Sequence, residues 1–465
     1  MLFSSLNFLF IFLPLVLFLY YLADKKYKNI ILLVASLLFY AYLGINYLYI
    51  LLISILINYV GAFIISRNKK RINYSKIALV IIILTNVALL GYYKYMNFFV
   101  DNLNSIFSSS ITIGKIIMPI GISFYTFKGI SYVVDVYRDN RIFRKNPLNV
   151  AIYISFFPQI TAGPISRYLD IDKQIVERQV SFDKFEEGIK RFIFGIGKKV
   201  ILSNTFGSIA DGIFVLKVTD VNFGLAWVGI IAYTLQIYFD FSGYSDMAIG
   251  IGKMFGFDFL ENFNYPYISK SITEFWRRWH ISLSSWFKDY VYIPLGGNRV
   301  SIIRHIINTF AVWLLTGFWH GSSWNFIAWG VYYGVIIILE KYVYGKWLDK
   351  LPNIIKHIYS IILIMIGWVF FRSSDLGYAL QYINIMFSFN IDKVSYNTLM
   401  KYLIEYKFEF IIAIVACTPI YKYTYSFKNR NVFENIERIS LLILFFISIV
   451  YVVASTYNSF IYFQF

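Results

Sequence analysis

Apolar positions in this chain run on continuously instead of alternating with polar ones. The stretches 30–43, 77–90, 225–237, 310–319, 359–371 and 439–453 form the centres of longer segments. With their flanks these segments approach the roughly 20 residues that cross a bilayer as a helix. Strands of a membrane barrel would alternate apolar and polar side chains, so the unbroken runs select helices. The pattern predicts an all-α polytopic membrane protein with about ten or eleven transmembrane or re-entrant helices.

Residues 2–23 have the hydrophobicity of a signal peptide, but the apolar region is too long, no basic region precedes it and no small-residue cleavage site follows. They read as a first, retained span. The longest polar stretch, Arg167 to Arg191, carries both charges and suits amphipathic helices lying at the interface. Neither a fixed-period repeat nor a lasting change of composition divides the chain, so one membrane domain over 1–465 is expected. Between Tyr238 and Trp329 polar and charged residues are denser than a lipid-facing bundle tolerates. Three segments bear Gly and Pro: "MPIGISFYTF" with Pro119 and Gly121, "FFPQITAGPISRY" with Pro158, Gly163 and Pro164, and "IPLGGNR" with Pro294, Gly296 and Gly297. Broken helices at membrane depth are tolerated inside protein or along a water-filled cavity, so an interior cavity is expected.

Composition agrees with lipid as the solvent. Of 465 residues 58% are hydrophobic and 21% aromatic, while only 15% are charged, against about 25% in soluble domains. The net charge of +17 is not a nucleic-acid footprint, because Lys and Arg lie in short clusters between spans: 25–28, 67–71, 138–145 and 428–438. Such loops stay in the cytoplasm, which places the Met1 end outside and delivers Tyr462, beyond the last span, to the outer face. The single cysteine, Cys417, has no partner for an intrachain disulfide and reads as core filling. The Ile, Asn, Lys, Tyr and Phe bias points to a low-GC genome and a bacterial cell membrane.

The candidate chemistry sits in the polar middle. His320, in "LLTGFWHGSSWNF", follows an apolar run and is ringed by Trp319, Gly321, Ser322, Ser323 and Trp324. A buried neutral imidazole takes a proton from a hydroxyl near pH 7; the simpler alternative is a hydrogen-bonded core histidine. Gly321 beside it allows close approach of a backbone or a substrate. His280 lies in the amphipathic "EFWRRWHISLSSWFKDY", and His305 and His357 stand beside Arg304 and Lys356 like solvated loop residues. Asp240 and Asp246, in "YFDFSGYSDMA", are intramembrane acids that need partners. Arg277 and Arg278 are candidates for that, or for holding the phosphates of a donor such as coenzyme A. No metal is expected, since neither HExxH nor CxxC spacing occurs. The nucleophile elbow, Walker A loop and Rossmann fingerprint are missing too.

"EFWRRWHISLSSWFKDYVYIPLGGNR" followed by "TGFWHGSSWNFIAWG", together with "PIGISFYTF", "FFPQITAGPISR" and "YFDFSGYSDMAIG", resembles the membrane-bound O-acyltransferases, in the branch of the alginate and peptidoglycan O-acetyltransferase membrane subunits. The likeness covers a core of about 117–330. It implies a ring of helices around a thin centre where a cytoplasmic and an outer funnel meet. It also implies acyl transfer across the membrane from a cytoplasmic donor, acetyl-CoA, to a cell-envelope or exopolysaccharide acceptor. On this likeness His320 is the catalytic histidine and His280 the second histidine, and an extracellular SGNH-type acetyltransferase or esterase is the expected partner. The teichoic acid D-alanyl transfer protein is a sister branch, with "IPLGGNR" favouring acetyl. In that sister system a small partner ends in an aromatic motif whose tyrosine is proposed to carry the acyl group. "FIYFQF" looks like that motif, which makes Tyr462 a candidate acyl relay; an aromatic belt at the membrane interface is the alternative. A polysaccharide transporter and a non-catalytic scaffold are rivals of another class. The paired interrupted helices of a transporter are not found.

Overall fold

The structure, a computed structural model, describes residues 1–114, 116–389, 393–420, 430–454 and 457. Among the described residues every regular element is helical. Seven helices are long and apolar enough to cross a membrane, and Phe8–Leu22 and Lys28–Ala41 are shorter apolar helices. The chain folds into two compact units, one of 1–192 with 244–260 and one of 193–243 with 261–465.

In the first unit the spans Ile45–Arg67 and Ile72–Leu90 are joined by a reciprocal amide pair, Asn58 and Asn86, each Nδ2 donating to the other's Oδ1 at 3.0 Å. Both are buried. An amide in hydrocarbon has no water to bond, so the pair fixes the register of two otherwise greasy helices. Gly121, at φ +78°, starts the helix Ile122–Arg138, and a Cβ there would meet Ile160 O at 2.2 Å. This segment and residues 156–166 are largely buried, as broken backbone at membrane depth requires. The third broken segment differs: most of 293–299 is exposed, a turn built on Gly296 and Gly297 at positive φ. Pro294 lies outside the seven helices long and apolar enough to cross a membrane, so it breaks none of them.

The polar stretch 167–191 folds mostly into Tyr168–Val176 and the start of Phe182–Gly197. Tyr168, Ile171 and Ile175 turn inward, and the buried Asp172 is paired with Arg144 at 2.5 Å.

The long helix Phe223–Met254 is the most enclosed span: 83% of its apolar window is buried, against 33% of Ile45–Arg67 and 11% of Glu434–Ala454. Protein surrounds it, which is why it tolerates carboxylates. Asp240 pairs with Lys199 at 2.7 Å, both almost fully buried, and Lys199 projects from a π-helical turn, Lys198–Ser203. Asp246 pairs with Arg191 at 2.8 Å. The sequence pointed to Arg277 and Arg278 as partners, but those belong to a separate helix. Arg278 is engaged by Glu274 at 2.9 Å and by Asn264 O at 3.1 Å.

Candidate active site

Two helices, Ile302–His320 and Trp324–Leu339, form a tight hairpin that carries His320 at its bend. Glycines allow it: a Cβ on Gly317 would lie 2.4 Å from Phe326 O, and one on Gly330 would lie 2.5 Å from Trp313 O. The backbones therefore touch where side chains would otherwise hold them apart. At Gly321 a Cβ would strike the Phe326 ring at 2.1 Å. The glycine expected to admit a substrate is filled by the hairpin's own phenylalanine. His320 is 4% exposed, with the rings of Trp319, Trp329 and Phe371 centred 5.0, 5.0 and 5.1 Å from its own.

His280 arrives from another direction. The short helix Ile272–Arg278 begins at Ser271, whose Oγ accepts the Glu274 N–H at 3.0 Å, while the Glu274 carboxylate accepts the Lys270 N–H at 2.9 Å. Ser271 thus caps the helix, while Glu274 ties down the residue before the cap. The remaining first-turn donors are met by a residue far along the chain: Glu340 accepts Ile272 N–H at 2.6 Å, and Thr273 N–H and Oγ1–H at 2.8 and 2.6 Å. After Arg278 the chain reverses through His280, held at φ +44°, into Ile281–Phe287. Non-glycine residues seldom adopt that conformation, and where they do it often serves a site. His280 is 2% exposed, edge-on to Phe241 at 4.6 Å and Trp319 at 5.9 Å. Burial pushes its imidazole pKa down to about 3, so the ring is neutral at pH 7.

Both histidines line one cavity of about 210 Å³, with Trp276, Arg277, Thr316 and Phe287 among its walls. Thr273, Arg277, Val312, Trp313 and Ile337 line both this cavity and a wider cleft of about 920 Å³, so the two spaces adjoin. Arg277, Lys288, Lys341 and Lys346 make that cleft cationic, with Glu340 and Asp349 also on its wall. A cleft lined with several cations thus adjoins a smaller cavity lined with aromatic rings and the two histidines. This arrangement suits a ligand with phosphates at one end and a reactive group at the other.

The structure brings together His320, His280 and Arg277. It leaves Asp240, Asp246 and Arg278 in ion pairs away from the cavity lining. Tyr462 lies outside the described residues. Tyr457 is described: its hydroxyl donates to Asp211 Oδ2 at 2.5 Å, its carbonyl accepts from Asn204 Nδ2 at 3.2 Å, and Asp211 also receives Arg372 at 2.6 Å. Sequence reasoning missed Asn262, Glu340 and His305. His305 is a buried helical residue on the cleft wall, not a solvated loop histidine, and its Nε2 faces Lys341 Nζ at 2.8 Å. His357 likewise belongs to a helix, Asn353–Arg372, with Nδ1 at 3.1 Å from Ser269 O. A Glu at the end of an apolar run was the available signal for Glu340.

The profile of the membrane-bound O-acyltransferase family matches residues 138–374. The chain is 44% identical over 399 residues to the probable alginate O-acetylase AlgI of Pseudomonas aeruginosa, covering 85% of this chain and 76% of that protein. It is 33% identical to the peptidoglycan O-acetyltransferase of Helicobacter pylori, over 100% of this chain and 98% of that one. A teichoic acid D-alanyltransferase of Bacillus subtilis is 31% identical over 51% of this chain and 62% of its own length.

Proposed function

This chain belongs to the membrane-bound O-acyltransferase family, and from that premise we propose that it moves an acetyl group from cytoplasmic acetyl-CoA to the O-acetylation of a cell-envelope or exopolysaccharide. It is a multi-pass membrane O-acyltransferase of the alginate and peptidoglycan O-acetyltransferase type. The donor, the residue roles, the outward-facing termini, the catalytic core at about 117–330 and the SGNH-type partner are our reading.

The observation that carries the reading is the cavity shared by His320 and His280 beside a cationic cleft. In this scheme Arg277, Lys288, Lys341 and Lys346 hold the donor's phosphates, and the thioester reaches the smaller cavity. His320 removes the proton from an attacking hydroxyl, the new C–O bond forms as the C–S bond breaks, and the thiolate leaves with that proton. Neutral His280 hydrogen-bonds the reactants beside it. The attacking hydroxyl is that of Tyr462, which passes the acetyl group to the outer partner. The anchoring of Tyr457 on Asp211 supports this, because Asp211 binds Arg372, the neighbour of Phe371, and Phe371 packs on His320.

The D-alanyl alternative rests on a likeness to half the chain, whereas the acetyltransferase likeness covers nearly all of it. The test is acetyl transfer by purified protein with labelled acetyl-CoA. Wild type transfers label and His320→Ala, with an unchanged elution profile and melting temperature, loses at least about 10²-fold. Full activity in that variant refutes the mechanism.

A further inference from the structure

We propose that Asn262 is a positioning residue that fixes His280 in its Nδ1–H tautomer, so that Nε2 offers the cavity a hydrogen-bond acceptor and not a donor. The inference rests on the enzymatic reading above only for its activity arm.

Asn262 is fully buried, and its Oδ1 lies 3.2 Å from Ser282 N, 2.8 Å from Ser282 Oγ and 3.1 Å from His280 Nδ1. A main-chain N–H can only donate. The atom it meets is therefore the amide oxygen, which settles which way Asn262 is turned. An oxygen cannot donate, so the imidazole nitrogen facing it carries the proton. In a neutral ring the other nitrogen, Nε2, then holds a lone pair. Among the described residues Nε2 has no hydrogen-bond partner although it is buried, and His280 lines the cavity with His320. A buried acceptor without a partner is costly unless a ligand supplies one. The complement is an N–H or O–H of the reacting molecules.

The backbone reinforces the assignment. Asn262 O accepts the Ile281 N–H at 3.0 Å, and Asn264 N–H donates to Arg278 O at 3.0 Å. The segment 262–264 thus grips both sides of the left-handed turn at His280. One asparagine supports the conformation through its carbonyl and the tautomer through its side chain. The carboxylate of Asp in its place would accept the same three donors, whereas Leu would accept none.

The experiment is nitrogen NMR of full-length protein labelled with ¹⁵N-histidine, with the His280 signals assigned by their loss in His280→Gln, alongside steady-state acetyl transfer. Wild type and Asn262→Asp should show protonated Nδ1 and unprotonated Nε2. Asn262→Leu should lose that pattern, and its kcat should fall on the order of 10²-fold, with Asn262→Asp recovering most of the loss. A merely structural asparagine would not move the tautomer or be rescued by Asp. Protonated Nε2 in wild type overturns the proposal, as does an Asn262→Leu variant with the wild-type tautomer and kcat. The spectrum reads the tautomer without turnover. The Nδ1–H form in a wild type that transfers no acetyl would therefore sink the enzymatic reading and leave the positioning role standing.

Discussion

Glu340 Oε1 accepts a hydrogen bond from the main-chain N–H of Ile272 at 2.6 Å, across 68 residues of sequence. With its other oxygen on Thr273, this carboxylate caps the helix that presents Arg277 to the cleft and leads into His280. An acid at a helix N-terminus also meets the positive end of the helix dipole. Glu340→Ala should destabilise the protein by about 1–3 kcal/mol, because main-chain donors lose their acceptor away from water. It should also raise KM for the acyl donor, as Arg277 loses its platform. Glu340→Gln, able to accept at one oxygen only, should fall between. Thermal melting in detergent and donor titration check both effects.

Arg277 is the cation common to the cavity and the cleft. If it holds a donor phosphate, Arg277→Ala removes a charge-assisted hydrogen bond and KM for acetyl-CoA should rise about 10–100-fold with little change in kcat. Arg277→Lys keeps the charge but not the planar fork and should recover part of the loss. A kcat defect at unchanged KM would remove Arg277 from donor binding.

The pair Lys199 and Asp240, 2.7 Å apart and nearly inaccessible, predicts an asymmetric response. Lys199→Met or Asp240→Leu alone leaves a buried charge without its counter-ion and should cost about 3–5 kcal/mol. The double variant should recover most of that loss. Melting temperatures of the four proteins measure the coupling, and strict additivity would show that the two charges act separately.

The acyl relay predicts a mass. After incubation with acetyl-CoA, the C-terminal peptide should carry one acetyl group on Tyr462 in wild type and none in His320→Ala. Tyr457→Phe, which removes the hydroxyl donor to Asp211, should lower the yield of that adduct. An unmodified tail in a protein that still transfers acetyl groups would assign 459–465 to the membrane interface instead.

Much of the candidate site was legible because its motifs are local. "RRWH" and "GFWHG" place two histidines in polar interruptions of a greasy chain. What was not legible involves residues distant in sequence. Asn262 meets His280 across a turn whose left-handed backbone no spacing rule announces. His305 looked like a loop residue because Arg304 stands beside it, yet it turns inward to face the cleft.

Length of apolar run and local motif are one-dimensional quantities, so the solvent, the helical class and the family could be read along the chain, and the two histidines picked out as candidates. The tertiary structure alone decided the partners. Asp240 goes to Lys199 and Asp246 to Arg191, Arg277 is left to the cleft, and Glu340 serves a helix 68 residues away. In a low-dielectric interior each buried charge must find a counter-charge or donor. Which one it finds depends on how closely helices pack, set here by contacts such as Gly317 against Phe326 and Gly330 against Trp313.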